Sequence, residues 1–345
     1  MTTKRWTAIG LAVGLFVLSF LIDGLVTKVN QSDETQNLIG DATTMLFGDS
    51  GLTETIVSSG DETKRIALLS VDGTILAGQT ESLFNSAGYN HEFFMEQLEA
   101  VKQDDSIKAI LLSVNSPGGG TYESAQIKDK LLELKESTDK PLYVSMGNLA
   151  ASGGYYIAAP ADKIFASEET LTGSIGVIMS STNLSDLYEK VGIEDTTIKS
   201  GQFKDIGSSV RPMTEADQDI LQKMVDDSYE RFVTVVADGR GMEKNQVREL
   251  ADGRIYDGAQ ALAVGLVDQL GYQEDALTAL QKDFQLTDAE IIQYAAGSMP
   301  FSSLLYSKAS QLLAPEKTSM AALEQIATQF GTSASPKMMY LYGGE

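Results

Sequence analysis

The run Ile107–Val114 is almost continuously apolar, the pattern of a strand covered on both faces. Such strands belong to parallel sheets with crossover helices on either side. Arg65–Val71 has the same character and closes on Asp72-Gly73, and Pro141–Met146, Lys163–Ala166 and Ser174–Met179 predict three further strands. Between them the apolar spacing turns helical, over Phe93–Val101, on the stripe Ile127, Leu131 and Leu134, and over Leu184–Val191. Thr196–Lys199 reads as a short extended piece. Thr214, with Asp217 three residues on, opens a long helix through Leu221, Met224, Val225, Phe232 and Val236 to Gly239. Two short helices are expected around Asn245–Ala251 and Ala259–Val264. Strands alternating with helices predict an α/β fold on a parallel sheet.

Ahead of this region, Lys4 and Arg5 precede Trp6–Ile22, 17 residues without a charge, and Leu25-Val26 continue past Asp23. That length is at the short limit for a membrane-spanning helix and also suits a signal-peptide core. No clear cleavage site follows Ile22, which favours an uncleaved anchor, and the basic start predicts a cytoplasmic N-terminus with the rest outside. The expected organisation is a cytoplasmic segment over 1–5, a transmembrane anchor over 6–26 and a polar arm over 27–64. A globular domain over 65–285 and C-terminal helices with a tail over 286–345 follow.

A net charge of −22 over 345 residues argues against nucleic acid as a partner. The chain has no cysteine, which excludes disulfides, a thiol nucleophile and thiolate metal sites. Its one histidine, His91, leaves a single imidazole and no basis for a histidine metal centre. No cofactor or metal is expected.

Two small-residue turns stand out: Pro117–Gly120 and Ser152–Gly154, each after a buried strand and before a helix. Strand ends of one parallel sheet share a side, so both turns can line one site. Neither matches a phosphate-binding pattern. Ser152, flanked by Ala150, Ala151, Gly153 and Gly154, is presented as a nucleophile beside backbone N–H groups able to hold an oxyanion. The same stretch also reads as a plain turn with a serine N-cap. A serine needs a base. His91, with Asp104 or Asp105, follows one known triad order, but its polar setting at a helix start suits a solvated cap better. The other candidates are Lys204, between Phe203 and Ile206, and Lys199. A lysine used as a base must be lowered by roughly 2–4 units from about 10.4, which needs apolar surroundings and no carboxylate partner. Asp205 beside Lys204 counts against it unless its side chain points away.

Asn115–Gly119, Ala150–Tyr156, Leu171–Gly176, Lys199-Ser200-Gly201 leading to Lys204-Asp205, and Ala251–Arg254 with Tyr256 and Gly258 together resemble the signal peptide peptidase A family. These are membrane-anchored bacterial serine proteases of the ClpP/crotonase-like fold, a repeated β-β-α superhelix with parallel sheet. The resemblance spans roughly Arg65 to Gly271 and points to the short, single-repeat form. It implies Ser152 as nucleophile, Lys204 as general base, the N–H groups of Gly119 and Gly153 as oxyanion hole, and Ser174 as the hydroxyl that orients the lysine. It further implies peptide substrates, remnants of cleaved signal peptides among them, a homo-oligomer, and a single-pass protein of the bacterial cell membrane with its catalytic domain on the extracytoplasmic side. The alternatives are an inactive anchored scaffold on the same fold and a crotonase-like acyl-CoA enzyme.

The tail Met338–Tyr342 is an isolated apolar run after a loose Gly331–Pro336 segment. It either docks as a final edge strand or on a neighbouring subunit, or mimics substrate in the groove beside Ser152.

Overall fold

The computed structural model describes residues 52–77, 89–296 and 337–343. The anchor expected over 6–26 lies outside them, and among the described residues no helix is long and apolar enough to cross a membrane.

The fully apolar runs become the sheet centre. Strands β2 (Asp61–Asp72), β3 (Ile107–Ser116), β5 (Leu142–Ala151) and β6 (Lys163–Ala166) lie side by side and parallel. β10 (Gln269–Leu270) adds parallel to β6, and β11 (Ala289–Ala296) parallel to β2. β1 (Leu52–Ser58) borders β11, so a strand forms inside the stretch expected as an arm. The period of two along β2 divides its side chains between two cores. Ala67, Leu69 and Val71 join the larger, with helices α1 (His91–Gln103), α2 (Thr121–Thr138), α3 (Gly153–Ala158) and α5 (Glu215–Arg240). Ile66 joins Ala109, Leu111, Tyr143 and Phe165 on the other face, beneath Ala276 and Leu280 of α8 (Gln273–Asp283). The chain is thus an α/β fold with a mostly parallel sheet, covered by helices on both faces.

The long helix begins where its capping box predicted. Thr214 Oγ accepts the Asp217 N–H at 3.2 Å, and Asp217 accepts the Thr214 N–H at 3.0 Å. The other short helices are α4 (Ser185–Val191), α6 (Lys244–Leu250) and α7 (Gly258–Ala263).

Three local expectations differ. The strand over Ser174–Met179 is broken, because Gly173 and Ser174 take φ of +82° and +47° and turn the chain. β7 (Leu171–Gly173) pairs with β5 and with β9 (Ile255–Tyr256), whereas β8 (Ile178–Met179) joins a second sheet. Thr196–Lys199 has no regular structure. Third, β5 runs past Met146 to Ala151, so Ser152 follows the strand directly.

The second sheet is β4 (Gly118–Gly120), β12 (Met338–Leu341) and β8, with β12 in the middle and antiparallel to both. The tail is therefore no edge strand.

Candidate active site

β5 delivers Ser152 to the junction with α3, where its backbone adopts φ 53°, ψ −116°. This is a sparsely populated conformation for a residue with a side chain, and it survives only when neighbours hold it. Ser152 N–H donates to Gly173 O at 2.8 Å, and Ser152 O accepts from Tyr156 N–H at 2.8 Å. The residue is 1% exposed. α3 follows at once, so the Gly153 N–H belongs to the helix's first turn, whose donors have no partner within the helix.

β4 supplies the facing wall. Ile75 N–H donates to Gly118 O and Gly120 N–H donates to Ile75 O, both at 2.8 Å. Those bonds use up one edge of the strand, so the N–H and C=O of Gly119 point to the opposite edge. Tyr340 lies opposite Gly119 there, with Leu341 opposite Gly118 and Met339 opposite Gly120. The Tyr342 N–H donates to Pro117 O at 2.9 Å, in phase with this ladder. The two glycine turns also touch. A Cβ on Gly118, whose φ is +95°, would land on the Tyr340 carbonyl oxygen and against Gly153 N. One on Gly153 would come within 2.7 Å of Ser124 Oγ. Only glycine admits this approach.

Tyr340 is anchored in an aromatic slot. Its ring stacks on Tyr156 at 4.9 Å and tilts against Phe232 at 4.8 Å, and its hydroxyl bonds Ser228 Oγ (3.0 Å) and donates to Ser228 O (3.2 Å). The ring is 2% exposed, and burial raises both phenols, Tyr156 and Tyr340, above their ordinary pKa. Charge spacing and apolar periodicity carry no sign of this slot, which joins α3, α5 and a tail distant in sequence.

Beside Ser152 a cavity of about 310 Å³ is lined by Ser174, Val177, Tyr229, Asp252, Gly253 and Leu341, among others. Ser174 keeps its positive φ through a bond from its N–H to Arg254 O at 2.8 Å. Asp252 is held at about 2 by the Arg254 guanidinium that it accepts from. The structure thus brings Ser152, Gly153, Gly119 and Ser174 together, with the tail across them.

Lys204 is not among the residues lining this cavity. It is exposed on the turn Gly201–Gly207, and among the described residues its ammonium makes no ion pair. The adjacent Asp205 is occupied elsewhere. Lys199 Nζ reaches both its oxygens at 2.7 Å, and Arg211 adds a two-pronged contact at 3.0 and 2.9 Å. The objection that Asp205 would neutralise Lys204 therefore falls, and so does Lys199 as a free base.

His91 is not the solvated cap expected, since Asn90 caps α1 instead. His91 is 8% exposed, its Nδ1 lies 2.6 Å from Tyr89 Oη and its Nε2 2.9 Å from Gln126 Oε1. Both nitrogens are committed to structure. Among the described residues no cluster of potential metal ligands occurs.

Comparison with known proteins agrees with a serine peptidase. The chain matches Peptidase family S49 over residues 134–287. It is 44% identical over 345 residues to an Enterococcus faecium protein assigned as signal peptide peptidase SppA, covering all of both chains. It is 30% identical over 247 residues to the chloroplastic serine protease SPPA of Arabidopsis thaliana, covering 70% of this chain and 36% of that protein. Among solved structures it is similar to a point mutant of ClpP1 from Listeria monocytogenes, at TM-score 0.39 and 17% identity, over 61% of this chain and 94% of that one. The chain is a serine protease and belongs to the signal peptide peptidase SppA family.

Proposed function

We propose that the protein hydrolyses apolar peptides, signal-peptide remnants among them, with Ser152 as nucleophile and Lys204 as general base. The observation that carries this reading is the tail strand laid along β4, with Tyr340 facing the Gly119 N–H. A peptide substrate bound in the same way would add a strand to β4 and present its carbonyl to Gly119 and Gly153. Ser152 Oγ attacks that carbonyl while neutral Lys204 takes the hydroxyl proton. The C–N bond breaks as protonated Lys204 gives its proton to the leaving amine, and water then releases the acyl group from Ser152. By this register the Tyr340–Leu341 bond is the one nearest attack, so the tail is both inhibitor and substrate.

Lys204 reaches Ser152 in an assembly rather than within one isolated chain. From Gly176 to Ile206 no residue is buried, although Leu187, Val191, Ile193, Ile198 and Phe203 are all well exposed. Beyond β8, these exposed apolar side chains on the segment that bears the base support a homo-oligomer. The segment 6–26 anchors the protein in the bacterial cell membrane, with the peptidase on the extracytoplasmic side.

The test is covalent labelling of the full-length protein by a fluorophosphonate, with peptide hydrolysis read in parallel. Wild type is expected to label at Ser152. Ser152→Ala and Lys204→Arg are each expected to lose activity by about 10⁴-fold or more, since nucleophile and base act as one unit and arginine stays protonated. Substantial activity in Lys204→Arg would overturn the dyad. A wild-type protein that neither labels nor hydrolyses would favour the inactive scaffold.

A further inference from the structure

A dyad lysine beside an aspartate is a chemical conflict. A carboxylate within about 4–6 Å of an ammonium favours the protonated form and raises the lysine by roughly 1–3 units, the wrong direction for a base. Lys204 and Asp205 are adjacent in sequence, on a short turn with two bonds of its own, Lys204 N–H to Gly201 O and Ile206 N–H to Phe203 O. Something must keep the carboxylate from its neighbour.

The charged groups facing Asp205 are few. Lys199 comes from the segment before the turn and Arg211 from the segment after it. Arg211 places Nε and Nη2 on the two carboxylate oxygens of Asp205, adds a bond to Asp205 O at 3.3 Å, and sends Nη1 to Asp217 at 2.6 Å. Asp217 is the buried capping-box residue of α5 and also accepts the Thr214 N–H. The guanidinium therefore bolts the turn to the start of the long helix. Among the described residues no other charged side chain bonds to Asp205.

We propose that Arg211 and Lys199 are positioning residues for Lys204. By saturating the Asp205 carboxylate they keep it from pairing with the neighbouring lysine, and they hold the turn that presents that lysine. The geometry has the parts this needs: both oxygens of Asp205 are occupied, the planar fork of arginine fixes the direction of the carboxylate, and the fork is tied to a helix N-terminus. The guanidinium and ammonium also hold Asp205 well below the usual carboxylate range, so it stays ionised and bound throughout the working pH range. This inference rests on Lys204 being the base.

The experiment measures kcat/KM against pH for the full-length oligomer, where the rising limb reports deprotonation of the base. Lys199→Ala with Arg211→Gln leaves Asp205 without a cationic partner except Lys204. The limb is expected to move to higher pH by about one unit or more. Adding Asp205→Asn to that pair is expected to bring the limb back to its wild-type position, even where the maximal rate stays low. A purely structural role would lower the melting temperature and kcat together and leave the limb in place, and that outcome overturns the proposal. So does a shifted limb that Asp205→Asn fails to reverse. Should the double variant fold poorly, Lys199→Ala alone leaves the Asp217 contact intact and is expected to give a smaller shift of the same sign; no shift counts against the idea. Failure of the underlying dyad has a different signature, activity retained in Lys204→Arg.

Discussion

Ser152 and Lys204 are held by opposite means. Ser152 ends a strand buried on both faces, and its strained backbone is fixed by main-chain bonds to Gly173 and Tyr156. Lys204 rides on an arm with no buried residue from Gly176 to Ile206, held by ion pairs around Asp205. One half of the site is thus made when the sheet folds. The other lies on a segment whose apolar side chains stay exposed, Ile198 at 100% among them. On the proposed dyad, the hydroxyl is formed by folding and the base is supplied by docking, so an unassembled chain would carry a nucleophile without a base.

The sharpest way to break this contrast is in the rigid half. Gly153→Ala puts a methyl within 2.7 Å of Ser124 Oγ, in a wall with no slack. On the proposed oxyanion role of Gly153, the displacement is expected to lower kcat by about 10²–10³-fold, with far-UV circular dichroism unchanged and a lowered melting temperature from the overpacking. A rate within a few-fold of wild type would mean that the Gly153 N–H is not part of the site.

A smaller effect is expected from removing the strand that covers that half. Deleting residues 337–345 should raise the rate on short peptides several-fold, because a tethered strand competes at roughly millimolar effective concentration. Intact mass of wild type should show loss after Tyr340 that Ser152→Ala lacks. An unchanged rate and mass would make β12 a structural strand only.

The least dramatic test sharpens the contrast from the other side. Arg211 lowers Asp217 to about 2, and Asp205 is lowered further still. A carboxylate depressed in the fold stabilises it fully above its unfolded value, near 4, and loses that contribution as pH falls through the folded value. Between about pH 4 and pH 2 the arm should therefore loosen before the sheet does. An acid-active protease is expected to cut within 185–211 at the lower pH and spare that segment at the higher. Cleavage in the sheet first would reverse the assignment of rigid and docked halves.

The chemistry in the chain was unevenly legible for reasons that follow the same divide. Continuous apolar runs announce strands buried on both faces, and Thr214 with Asp217 announces a helix start, because these signals are local. The strand-to-helix turn at Ser152 was readable for the same reason. The break at Gly173-Ser174 was not, since Ile175, Val177 and Ile178 satisfy a strand pattern while the backbone turns beneath them. His91 looked solvated among polar neighbours, yet its partner Gln126 lies 35 positions on in a helix that covers it. Lys199, Asp205 and Arg211 were visible as charges, but which carboxylate each cation takes is decided by the turn between them. The Met338–Tyr342 strand could be recognised as an extended apolar peptide. Its landing place depended on a slot assembled from Tyr156, Ser228 and Phe232.

Pro117 gives the groove a direction. At Gly119 the peptide strand meets both an N–H and a C=O, but two residues away Pro117 accepts from Tyr342 and, lacking an N–H, returns nothing. On the proposed reading, a peptide bound as the tail is would be gripped on the side that becomes the acyl-enzyme and only half gripped on the side that leaves. Once the bond is cut, the C-terminal fragment has the weaker hold. It would depart first and clear a path for water while the other fragment stays in register on the proposed nucleophile, Ser152.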